Sequence, residues 1–172
     1  MTEPEFWKLI ELSKEFSPLD IDRQSELLVD LLQNRSLGDV KDFDKILTNN
    51  ASRLDLPDIY LAAYVIFDKK PTHLDYKNLQ TWLIANGEKS FNQTLKQPTS
   101  IDTWIMFKDK EFIHGDPLGS VPHNAYYKKT KLSDDLFYSE NPGPKNNFYT
   151  EEPGDLDLQC INRFPKLIKT FW

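Results

Sequence analysis

Six times in the first two thirds of the chain, a residue with a short oxygen-bearing side chain is followed three positions later by an acid. The pairs are Thr2 and Glu5, Ser17 and Asp20, Ser36 and Asp39, Asp55 and Asp58, Thr72 and Asp75, and Thr99 and Asp102. At this spacing a helix start satisfies its orphan N–H groups, with the first side chain accepting one of them and the acid meeting the positive end of the helix dipole. Pro4, Pro18 and Pro57 fall in the same first turns, where a missing N–H costs little. One match would constrain little. Six, each leading into an apolar stripe, predict a mainly α, single-domain, antiparallel multi-helix bundle.

The stripes have helical spacing. Phe6, Leu9, Ile10 and Phe16 mark the first helix, and Ile21, Leu27, Leu28, Leu31 and Leu32 the second. Val40, Phe43, Ile46 and Leu47 mark the third. Residues 59–67 are apolar nearly all round, which predicts a helix buried on most sides. The following stretch holds the fullest set of signals. Thr72 and Asp75 start a helix, Tyr76, Leu79, Trp82 and Leu83 form its stripe, and Asn86-Gly87 ends it with a residue free to turn left-handed.

Residues 1–98 thus read as a well-signalled helical array with short connections. Residues 99–172 are less regular. Within 104–113, two apolar runs flank Lys108-Asp109-Lys110, as in a helix end or a small β-hairpin. His114 to Gly119 reads as a loop by its Gly and Pro content, 124–138 as a return to helix, and 141–157 as a flexible loop. A closing helix is expected over 161–172 from Phe164, Leu167, Ile168, Phe171 and Trp172.

At 172 residues the chain suits one domain, long enough to bury roughly 70% of the surface that its unfolded form exposes. The lone Cys160 has no internal disulfide partner. No apolar run reaches the roughly 18 residues of a membrane span, and the first residues are acidic where a secretory leader is basic. A soluble cytoplasmic protein is expected. The net charge of −6 and pI near 5.1 argue against nucleic acid, whose phosphates need clustered Lys and Arg. The only basic run, residues 126–131, reads as a solvated helix face. An acidic surface would suit a basic protein partner, although acidity also serves plain solubility.

Short catalytic signatures are missing. The chain has no phosphate loop, dinucleotide fingerprint, helical pair of histidines, paired-cysteine metal site or nucleophile elbow. No cofactor is therefore expected. Three weaker groupings remain. His114, Asp116 and His123 offer two imidazoles and a carboxylate to a divalent metal, against the plain alternative of a surface loop. His73 and Asp75 could meet an anion at a helix start, but the cap already explains Asp75. Glu151, Glu152, Asp155 and Asp157 form an acidic run without the spacing of a calcium loop, which fits a solvated segment. Among the aromatics, Trp7 and Trp82 are assigned to the core together with the helix-ending Gly87. Trp104 and Trp172, with Glu151 and Glu152, are the candidate partner-binding residues.

Several of these stretches resemble one family. Phe6-Trp7-Lys8-Leu9-Ile10, the aliphatic helix over 56–67, the run Asp75-Tyr76-Lys77-Asn78-Leu79-Gln80-Thr81-Trp82-Leu83-Ile84-Ala85-Asn86-Gly87 and the closing Arg163-Phe164-Pro165-Lys166-Leu167 resemble the bacterial domain-of-unknown-function family DUF4240. Trp82-Leu83-Ile84 followed by Gly87 is the most specific part. This chain departs from relatives at His73-Leu74-Asp75, where they tend to carry paired acids, and at Gln80, where they tend to carry Arg. The resemblance implies a bacterial, mostly helical protein and no established activity.

Two functional expectations follow. One is a non-enzymatic protein–protein interaction domain, of the toxin-neutralising immunity kind. The other is a metal-assisted hydrolase or small-ligand sensor built on His114, Asp116 and His123.

Overall fold

The computed structural model describes residues 1–17, 20–68, 70–103, 105, 113, 117–132, 137 and 156–172. Among them the protein is mainly helical and shows no strand. The helices are α1 (Glu3–Glu15), α2 (Ile21–Gln33), α3 (Leu37–Arg53), α4 (Pro57–Phe67), α5 (His73–Ala85) and α6 (Glu88–Lys96), followed by a 3₁₀ segment (Pro98–Thr103). Then come α7 (Pro117–Thr130), α8 (Leu156–Arg163) and α9 (Pro165–Phe171). The hairpin alternative over 104–113 gains no support; most of that stretch lies outside the described residues, and Ile113 within it is helical.

Three starts form as their sequences dictate. At α1 the Glu5 carboxylate accepts from the Thr2 N–H at 2.7 Å. At α3 and α5 the capping boxes close in both directions. The Asp39 N–H donates to Ser36 Oγ at 3.1 Å, the Asp75 N–H donates to Thr72 Oγ1 at 3.1 Å, and each acid accepts from its cap's N–H. Hydrogen bonds from Ser36 and the neighbouring chain-terminal ammonium hold the Asp39 carboxyl below its ordinary range.

The other three pairs resolve differently. Asp20 itself caps α2, accepting from the Arg23 N–H at 2.8 Å, while Ser17 Oγ turns back to the Ser13 carbonyl. Leu56 occupies the cap of α4 and provides no side-chain bond; Pro57 follows at the first position. Asp102 caps no local helix. It reaches α9, accepting from the N–H groups of Lys166 at 2.9 Å and Leu167 at 2.8 Å.

The buried apolar side chains, from Phe6 to Phe171, form a single cluster. In α4 every residue from Ile59 to Phe67 is buried except Tyr64, as expected of a helix apolar on all sides. Phe6 packs on Phe43 at 4.8 Å between ring centroids and Trp7 on Phe91 at 5.0 Å, which ties α1 to α3 and α6. Phe16 does not join this core. It follows the last residue of α1 and is 69% exposed.

Two further expectations are corrected. Residues 117–119, read as loop, begin α7, since a proline at the first helical position forfeits no bond. The closing helix is two helices, broken at Phe164 because Pro165 disfavours helical geometry in the residue before it.

Tyr76 stitches α5 to the turn before α4. Its buried hydroxyl donates to the Leu54 carbonyl at 3.1 Å and accepts from the Leu56 N–H at 3.2 Å. Burial pushes the phenol above its ordinary range, and the adjacent Asp55 carboxylate adds to this. Burial likewise raises the Asp55 carboxyl. Tyr76→Phe removes the hydroxyl's bonds to the Leu54 carbonyl and the Leu56 N–H, leaves the latter its bond to the Leu54 carbonyl at 2.9 Å, and is expected to cost about 0.5–1.5 kcal/mol in a urea melt. A change within error would mean that water takes over both bonds.

Candidate functional site

The side chains of the most specific family stretch lie mainly inside the fold. Trp82 is 7% exposed, and Gly87 closes the turn between α5 and α6 with φ +96°. Three side chains from the first two helices converge on this corner. Lys14 Nζ donates to the Asn86 carbonyl at 2.6 Å, and Gln24 Nε2 donates to the Ala85 carbonyl at 3.1 Å, both at the negative end of α5. Glu11 accepts from the Glu88 N–H at 3.0 Å and so caps α6, whose own cap residue, Gly87, has no side chain to do it. A Cβ on Gly87 would stand 2.3 Å from Glu11 Oε1. The glycine therefore serves both the left-handed turn and the approach of a distant carboxylate.

Trp7 is buried as well, at 4% exposure. Trp172 is different: it is 48% exposed and leans on Tyr64 edge-on, with ring centroids 6.1 Å apart. Tyr64 is the one residue between Ile59 and Phe67 that α4 leaves partly open. Its hydroxyl donates to Asp157 Oδ1 at 3.2 Å. Partial loss of water raises the Tyr64 phenol, with the Asp157 carboxylate adding to the effect. Ile161, one turn beyond Asp157, and Leu158 beside it are each about half exposed. The C-terminal segment thus exposes one aromatic and two aliphatic side chains, and α8 supplies the Asp157 acid to Tyr64.

The same helix is held down from beneath. Arg163 pairs with Asp58 of α4, and Cys160 Sγ lies 3.7 Å from the Leu61 carbonyl. Burial pushes the Cys160 thiol up to about 11, with Asp157 a lesser contributor. The thiolate is the nucleophile, so labelling of the folded protein by a soluble disulfide reagent at pH 8 should be on the order of 100-fold slower than in denaturant. Equal rates would show that α8 opens freely.

Of the other expected site residues, Trp104, His114, Asp116, Glu151 and Glu152 lie outside the described residues. His123 sits on α7, partly buried. Among the described residues no group of three His, Cys, Asp or Glu side chains has metal-binding geometry. None of the described helices is long and apolar enough to cross a membrane. His73 is exposed at the start of α5, where Asp75 is engaged in the cap. Gln80 is buried on the same helix as Tyr76.

The features fit a helical protein whose best-built polar sites join its own elements. The chain belongs to the family described as protein of unknown function (DUF4240), whose model matches residues 1–128. The closing 163–167 portion of the resemblance, like Trp172, falls beyond that match. Neither the curated proteins nor the solved structures contain a significant match to the chain.

Proposed function

We propose that this protein is a bacterial cytoplasmic interaction domain that docks a basic protein through the face around Trp172 and Tyr64. The half-exposed Trp172 resting on Tyr64 carries the proposal. Trp and Tyr are the side chains that most often anchor interfaces, because they bury large rigid areas at small entropic cost. Leu158 and Ile161 of α8 offer further exposed apolar area, and Asp157, bonded to Tyr64, sets a negative charge beside it. With a chain charge of −6, this favours a partner that presents an apolar anchor ringed by Lys or Arg. Masking the basic surface of a toxin is the form of such binding that suits a small acidic domain with no catalytic signature.

The test is capture from lysate of the protein's own source, with wild type and Trp172→Ala run in parallel and metal assayed on the same samples. The expected result is a stoichiometric protein held by wild type, released by raised salt and at least tenfold depleted with Trp172→Ala while the circular dichroism is unchanged. Equal capture by both would remove the interface from this face. Stoichiometric metal without a protein would favour the reading based on His114, Asp116 and His123.

A further inference from the structure

A cleft of about 500 Å³ lies between α2 and α7, within the range of roughly 300–1,000 Å³ that small-molecule sites occupy. Its walls carry two series of side chains at four-residue steps. From α2 come Asp22 and Glu26, with Asp30 continuing the series just beyond the cleft; from α7 come Ser120, Asn124 and Lys128. At one end the two series meet as an ion pair, with Lys128 Nζ 3.1 Å from Asp30 Oδ1. Lys129 Nζ, donating to the Gln33 carbonyl at 3.2 Å, holds the same ends of the helices together.

One and two turns back, the pattern of charge breaks. Asn124 and Ser120, both neutral, line the cleft together with Glu26 and Asp22. Among the described residues Glu26 pairs with Arg23 of its own helix alone, at 3.0 Å in a pair exposed on both sides, which water and salt weaken. Asp22 has no Lys or Arg within ion-pair distance among the described residues. Between these ends the wall is apolar: Val29 is 5% exposed, and the Tyr127 ring stands half open, with Lys131 Nζ 5.8 Å from its centroid. The cleft thus has an apolar body, a negative end that receives no cation from the α7 wall, and a positive end that is already occupied.

We propose that this cleft binds a small organic cation, an alkyl or aryl monoamine. Its ammonium would meet Asp22 and Glu26, and its apolar body would lie along Val29 and Tyr127. The two carboxylates are one helical turn apart, roughly 6 Å along the axis, so one ammonium with three donors can reach both. Lys128 at the other end and Lys131 over the Tyr127 ring disfavour a second positive charge, which selects a monoamine over a long diamine. This site is separate from the Trp172 face and does not rest on it.

The test is an NMR titration of the full-length ¹⁵N-labelled protein with n-hexylamine, and with n-hexanol as the uncharged control. The expected result is saturable shifts confined to α2 and α7, with hexanol at least tenfold weaker. Asp22→Asn with Glu26→Gln should weaken the amine at least tenfold while the remaining spectrum is kept. Ser120→Lys repeats at Asp22 the spacing that gives Asp30 its Lys128, and it should abolish binding from the opposite wall. Equal binding of hexanol, shifts scattered over the surface, or amine affinity unchanged in both variants would each overturn the proposal.

Discussion

Trp82→Ala should be the most damaging single change on α5, at about 3–5 kcal/mol, as for other large aromatic truncations in cores. The indole is 7% exposed, and its backbone carbonyl accepts from both the N–H and the side-chain amide of Asn86, at 3.2 and 2.8 Å. The lost side chain thus belongs to the same helical turn that holds Asn86, whose carbonyl Lys14 reaches. For a chain of this size, the loss corresponds to a fall in melting temperature of roughly 10 °C. A cost under about 1 kcal/mol in urea melts would mean that the indole lies on a surface, and that the family's most specific residue is kept for binding.

Gly87→Ala carries the second large effect, through two separate causes. An alanine at φ +96° and ψ 166° pays backbone strain of about 1–3 kcal/mol. Its Cβ also displaces Glu11, which removes a helix cap worth about 0.5–2 kcal/mol. The sum, about 1.5–5 kcal/mol, should appear in a urea melt as a lower midpoint with an unchanged slope. A slope that falls with the midpoint would instead indicate that the corner opens before the rest of the fold.

The parts of the fold legible in the sequence are those decided within about four residues. The starts at Thr2, Ser36 and Thr72 are local exchanges between a cap and the acid three positions on, and the α4 run is apolar whichever neighbour it meets. What could not be read depends on distant partners. Asp102 looked like the acid of a local box at Thr99, yet it caps a helix 64 residues away, where Pro165 and Phe164 offer no side-chain oxygen. Glu11 reads as one more solvated acid on α1, yet it caps α6 across 77 residues. Ser17 and Asp20 both fit a cap, and only the observed start of α2 at Ile21 chooses between them. Phe16 follows helical spacing, but α1 ends at Glu15 and nothing covers the ring enough to bury it.

The candidate site shows the same division. Trp172 stands last in the apolar series of the closing helix, and the sequence suits it equally to the core and to a surface. Its support by Tyr64 was not readable, since Tyr64 sits in a run where every neighbour is buried. The cleft between α2 and α7 was hidden for another reason. The two four-residue series are each ordinary on a solvated helix, and only their alignment reveals that Asp22 and Glu26 face neutral residues.

That the family's signature builds this corner, with Gly87 present because Glu11 must reach the start of α6, is tested most directly by a double-mutant cycle. Unfolding free energies would be measured for wild type, Glu11→Ala, Gly87→Ala and the double variant. The expected result is strong coupling, with Glu11→Ala costing about 1 kcal/mol when residue 87 is glycine and close to nothing when it is alanine. Equal costs in both backgrounds would show that the carboxylate and the glycine act independently, and that Gly87 serves the turn alone.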